Sequence, residues 1–70
     1  MISEEMIMGL RLISGINISN VESKYNINLH QKFPQIKEMI DLKLLTEESG
    51  YLKLTKKGLF LGNQVFQIFI

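Results

Sequence analysis

His30 is the single histidine, and the chain has no cysteine to complete a metal site with it. One imidazole alone does not make a metal centre, so His30 reads as an exposed, inert side chain. The serines fall in no Gly-x-Ser-x-Gly pattern and none has a base beside it. Glu47 and Glu48 are adjacent in the chain. In a loop, or on opposite faces of a strand, they do not pair for acid/base work. Gly58 and Gly62 are isolated and do not form a phosphate-cradling loop. No catalytic, cofactor-binding or metal-binding residue is assigned. Two other patterns carry information: polar residues suited to nucleic acid, and an apolar segment with an arginine inside it.

The polar set is Asn28, His30, Gln31, Lys32, Gln35 and Lys37, with Lys53 further on. In a helix-turn-helix module with a wing, these would face a major groove and a phosphate backbone. The charge balance argues against it. Eight Lys or Arg stand against seven Asp or Glu, a formal net charge of +1, whereas nucleic-acid binders carry a basic excess. Glu47-Glu48-Ser49-Gly50 puts acid where a wing tip wants a cation, and Glu38 and Asp41 add repulsion. Arg11 is the single arginine and lies outside this region, so the commonest guanine contact is missing. Docking to protein, or within a longer chain, is the stronger reading. A stand-alone DNA-binding domain is the alternative.

The elements that must position these residues follow from caps and periodicity. Ser3 is placed to cap a first helix over residues 4–13, with Glu4 and Glu5 at its positive end. Met6, Leu10 and Ile13 make its stripe; Met8 and Leu12 lie off it, so the helix is apolar on more than one side. Arg11 would point outward or snorkel. Gly15 suits a C-terminal cap. Ile16-Asn17-Ile18 is an extended link. Ser19-x-x-Glu22 then matches a capping box for a second helix over residues 20–25, ended by Asn26.

Asn28 would cap a third segment, 29–33. Pro34 either starts a new helix or kinks a longer one, and a new helix running to about Leu42 is preferred. Residues 44–46 and 51–54 flank Glu47-Glu48-Ser49-Gly50 as a hairpin, with Gly50 supplying positive φ. Thr55 caps a last helix containing Gly58. That glycine either allows a close approach or has no structural role. The end of the chain, with Leu59, Phe60, Leu61, Val65, Phe66, Ile68, Phe69 and Ile70, is nearly all apolar. It reads either as ordinary core or as an exposed docking patch.

Seventy residues, 46% of them hydrophobic, make one domain with a real core. Without disulfides it is expected to be marginal alone, or helped by a partner surface. No uncharged run is long enough to span a membrane, and Glu4 and Glu5 replace the basic start of a signal peptide. A cytoplasmic location is the expectation. The fold expected is mainly α with a small β-hairpin, winged-helix-like.

Met8-Gly9-Leu10-Arg11-Leu12-Ile13-Ser14-Gly15-Ile16 resembles the opening signature of a known family. That family is the C-terminal domain of the oxygen-independent coproporphyrinogen III oxidase group, which includes radical-SAM heme chaperones. The later segments agree in order: Tyr25-Asn26, Phe33-Pro34, a helix to Leu44-Leu45, the hairpin, Leu54-Thr55-Lys56-Lys57-Gly58, and Gly62-Asn63. The resemblance covers essentially all 70 residues. Its Gly-Leu-Arg-Leu and Gly-Ile elements are the more specific; Leu-Thr-x-x-Gly is common to many winged helices.

The resemblance implies that residues 1–70 are one C-terminal domain of a longer protein, packed on a radical-SAM barrel. That parent would be an oxidoreductase-like enzyme or a heme chaperone, the compact domain leaning toward the chaperone. Its Cys-x-x-x-Cys-x-x-Cys motif would hold a [4Fe–4S] cluster for S-adenosylmethionine cleavage. A His-Asn-x-x-Tyr-Trp motif is linked with heme in the chaperone branch. Neither motif is in this chain, and His30 does not stand in for the second. The residues implied for the signature and for interdomain packing are Gly9, Leu10, Arg11, Leu12 and Gly15. Arg11 would either pair with a carboxylate across the domain junction or be an ordinary surface arginine.

Overall fold

The computed structural model describes residues 2–12 and 14–70. Helix α1 spans Ile2–Leu10, strand β1 Ile16–Asn17, α2 Ile18–Tyr25, α3 Leu29–Lys32 and α4 Gln35–Asp41. Strands β2 (Leu45–Glu48) and β3 (Tyr51–Leu54) follow, then α5 (Lys56–Phe60), α6 (Gly62–Phe66) and a 3₁₀ turn, Gln67–Phe69. The domain is mainly α with a small antiparallel sheet, as expected. The sheet is larger than expected by one strand, in the order β1-β3-β2.

The first helix departs from the reading at both ends. Ile2 is already helical, so Ser3 lies inside the helix and is not its cap. Glu4 and Glu5 do occupy the first turn. The helix stops at Leu10 because the chain tightens: Arg11 N donates to Met8 O and Leu12 N to Gly9 O. A further turn, Gly15 N to Leu12 O, brings the chain onto the sheet. The expected stripe residue Ile13 lies outside the described residues. Gly15 takes the positive φ, +77°, but at the entry to β1 and not as the helix cap.

Ile16-Asn17 is therefore not a loose link. It pairs antiparallel with β3, Ile16 opposite Leu52 and Asn17 opposite Tyr51. The cap of α2 moves with it. Asn17 accepts from Asn20 N at 3.1 Å, so Asn17 holds the cap position and Ser19 is helical. Glu22 does not reach back to Ser19. Its Oε2 accepts from Leu29 N at 2.8 Å, placing a carboxylate at the start of α3. Asn26 ends α2 in the left-handed region, and Asn28 caps α3 by accepting from Gln31 N. A new helix starts after Pro34, as preferred.

Glu47 and Glu48 belong to β2, so the hairpin loop is just Ser49-Gly50. Their φ values of 51° and 81° are both positive, the requirement of a tight turn that matches strand twist. Leu45 pairs with Leu54 and Glu47 with Leu52. Thr55 caps α5, accepting from Gly58 N at 3.0 Å. The expected single last helix breaks at Leu61, whose φ and ψ of −108° and 31° are not helical. The break turns Val65 and Phe69 inward to full burial. Phe69 meets the Phe33 ring edge-on at 4.9 Å between centroids. Met6, Leu10, Ile16, Val21, Leu29, Ile36, Met39, Leu44, Leu45 and Leu52 complete the core.

Candidate functional site

The signature segment divides into an inward and an outward set. Leu10 is buried in the core. A Cβ on Gly9 would lie 2.6 Å from Ile16 Cγ1, so a larger residue there would push α1 off β1. A Cβ on Gly15 would lie 2.2 Å from the Leu52 carbonyl oxygen, and the positive φ adds a second demand for glycine. These three residues seat α1 and the turn against the sheet. Arg11 and Leu12 face outward. The Arg11 guanidinium sits 5.3 Å from the Phe66 ring centroid, a cation–π contact within the chain. It joins no ion pair among the described residues.

Leu12 is part of a larger apolar face. Met8 is 68% exposed, Leu12 62%, Leu59 66% and Phe60 91%. Leu12 and Leu59 line one depression together with Leu10, Arg11 and Leu54. Leu59 and Phe60 share a second with Lys56. Met8 and Leu12 share a third with Gly9, Glu4 and Glu5. The face runs from the end of α1 across to α5. The apolar end of the chain is divided: Val65 and Phe69 are buried in the core, and Leu59 and Phe60 are exposed. Leu59 and Phe60 of α5 were not read as neighbours of the signature. The off-stripe position of Met8 and Leu12 in the expected first helix was the available signal for an outward apolar face.

Both helices that carry this face are seated by glycine. On α5, a Cβ at Gly58 would meet the Leu44 carbonyl oxygen at 2.0 Å, so Gly58 is there for a close approach. On α1, Gly9 plays the same part against Ile16.

The titratable groups are tied to structure. Glu5 Oε1 accepts from Lys24 Nζ at 2.7 Å and from Tyr25 Oη at 3.1 Å, linking α1 to α2. The Lys24 hydrogen bond holds the Glu5 carboxyl below its ordinary range, and Tyr25 adds to it, against a partial desolvation. Lys24 is raised in turn by the Glu5 hydrogen bond. Tyr25 is raised first by burial, then by its bond to Glu5. His30 is exposed but paired: its Nε2 contacts Glu47 Oε1, bridging α3 to the hairpin, and not Glu38 or Asp41. That pairing turns the imidazole toward an acid of the hairpin. Among the described residues no group of three or more His, Asp or Glu is arranged to hold a metal ion. No helix among them is long and apolar enough to cross a membrane.

A family model described as the HemN C-terminal domain matches residues 1–61. The chain is 39% identical over 70 residues to the heme chaperone HemW of Lactococcus lactis subsp. lactis (strain IL1403). It is 34% identical over 70 residues to the heme chaperone HemW of Bacillus subtilis (strain 168). In each case 99% of this chain is covered but only 18% of the relative's length. No solved structure gives a significant match.

Proposed function

The chain belongs to the HemN C-terminal domain family, and from that we propose that it is the non-catalytic accessory domain of a longer radical-SAM protein of heme metabolism. In this reading it packs on the barrel of that protein, in the cytoplasm. The observation that carries the reading is the 39% identity across 70 residues to a protein named a heme chaperone. The second relative bears the same name, which favours the chaperone branch over the porphyrinogen-decarboxylating oxidase. The winged-helix-like order of helices and hairpin then serves docking and not a DNA groove. Acidic Glu47 and Glu48 on the hairpin, and the apolar face around Leu59 and Phe60, support that choice.

A [4Fe–4S] cluster and S-adenosylmethionine would belong to the barrel of the longer protein. This chain has no cysteine, so its residues do not fit a thiolate-held cluster, and no step of the chemistry is assigned to them. What the domain contributes is a rigid apolar surface. The test is made on the full-length protein. Heme is added in stoichiometric amount and the Soret band is followed through gel filtration. Co-elution of the band with the protein is the chaperone outcome. Decarboxylation of coproporphyrinogen III without retained heme is the oxidase outcome and would overturn the branch assignment.

A further inference from the structure

We propose that the ridge formed by Met8, Leu12, Leu59 and Phe60 is the face that meets the barrel, and that the barrel offers a carboxylate to Arg11. This rests on the reading of the chain as a domain packed within a longer polypeptide.

Three observations lead to this face. The core is closed without these side chains: Met6, Leu10, Val65 and Phe69 fill it while their neighbours Met8, Leu12, Leu59 and Phe60 stay in water. Large contiguous apolar surface on a small domain marks an interaction site. The ridge is also preorganised. Gly9 seats α1 on Ile16, and Gly58 seats α5 on the Leu44 carbonyl, so the two helices present their outer faces in fixed register. Association then orders little that is not already ordered.

The greater length of the relatives points to the occupant. The family's domain is C-terminal, and the chain spans 18% of each relative's length. In a longer protein with this domain at its C-terminal end, the rest of the chain would join ahead of α1, the helix that carries Met8. The face carries both signs at its rim: Arg11 and Lys56 beside Leu12, Leu59 and Phe60, and Glu4 and Glu5 beside Met8. Arg11 rests on Phe66 and has no carboxylate among the described residues. Covering it with an apolar surface demands a compensating acid, because an unpaired buried guanidinium is costly.

The test is hydroxyl-radical footprinting of the full-length protein, read by mass spectrometry at two internal pairs. Met6 and Met8 are the same residue type, one buried in the domain and one exposed on the ridge; Phe69 and Phe60 are a second such pair. A covered ridge brings the oxidation of Met8 and Phe60 to within about twofold of Met6 and Phe69, as expected for side chains shielded from water at an interface core. Met8 and Phe60 outpacing their partners by roughly tenfold or more, as solvent-exposed groups would, overturns the proposal. If exposed His30 is shielded in that case, the domain packs by another face and the wider reading stands. If nothing exposed is shielded, both fall. Shielding of the ridge that vanishes on dilution assigns it to a second copy of the protein and also overturns the proposal. For the carboxylate, Arg11→Glu in the full-length protein should restore Met8 oxidation, with Met6 still protected as the mark of an intact fold. Arg11→Lys should retain shielding. Equal shielding in wild type and Arg11→Glu removes the carboxylate from the account.

Discussion

The Leu44 carbonyl oxygen lies 2.0 Å from the point where a Cβ on Gly58 would stand. The same oxygen accepts from Thr55 N at 3.1 Å. Helix α5 therefore lies directly on the backbone at the root of the hairpin. Gly58→Ala gains roughly 1 kcal/mol of helix propensity but forces the two backbones apart. The expected net loss is about 2 kcal/mol or more, from overpacking, read as a lower urea midpoint. Gly50→Ala is the comparison. Nothing lies within 4 Å of its Cβ, and its φ is +81°. Its cost is the left-handed backbone alone, about 1 kcal/mol.

Thr55 fastens the same junction with its side chain. Its hydroxyl donates to Lys43 O and accepts from Gly58 N. Lys43 is itself held at a positive φ of 65°. Thr55→Val keeps the shape and removes both bonds. A loss of about 1–2 kcal/mol is expected by thermal or urea unfolding, the range of a lost N-cap. Thr55→Ser should recover most of it.

Asn17, and not Ser19, caps α2. Asn17→Ala should cost about 1 kcal/mol, while Ser19→Ala should stay within about 0.5 kcal/mol of wild type. Glu22→Ala strips the acceptor from Leu29 N and should cost about 1 kcal/mol. Equal losses at Asn17 and Ser19 would contradict this assignment.

These residues show what was readable from sequence. Asn26, Asn28, Pro34, Gly50 and Thr55 act where they stand, because caps and turns are local chemistry carried by single residue types. Apart from Ser3, which fails as a cap because Ile2 is already helical, what failed depended on distant partners. Strand β1 is two residues long and exists through its pairing with β3. That pairing moves the α2 cap from Ser19 to Asn17 and frees Glu22 for α3. The break at Leu61 follows from the core's demand for Val65 and Phe69. On the candidate face, Arg11 and Leu12 were readable as a motif, but Leu59 and Phe60 join them solely through tertiary folding. The burial of Leu10 was readable from its stripe with Met6, but the close approaches that demand Gly9 and Gly15 were hidden for the same reason.

The Glu5–Lys24–Tyr25 cluster predicts a pH dependence with a definite sign. Glu5 is lowered below its ordinary value of 4.5 by Lys24 first. In the window just below that value the unfolded chain binds the extra proton, so stability rises with pH there. The contribution is present at neutral pH and lost as pH falls through the lowered value. Lys24 and Tyr25 are raised, so their contribution is lost as pH rises through their raised values. Glu5→Gln should flatten the acid limb of a stability–pH curve measured by urea unfolding. Tyr25→Phe should leave most of that limb, because Lys24 is the larger cause.

The proposed ridge of Met8, Leu12, Leu59 and Phe60 would hold this domain against a larger body. A structure of the full-length protein reads it directly at Phe60, whose side chain is 91% exposed here. The expected result is Phe60 buried against the barrel, with an acidic side chain of the barrel within ion-pair distance of Arg11. Phe60 and Arg11 both facing water on the side away from the barrel would contradict it.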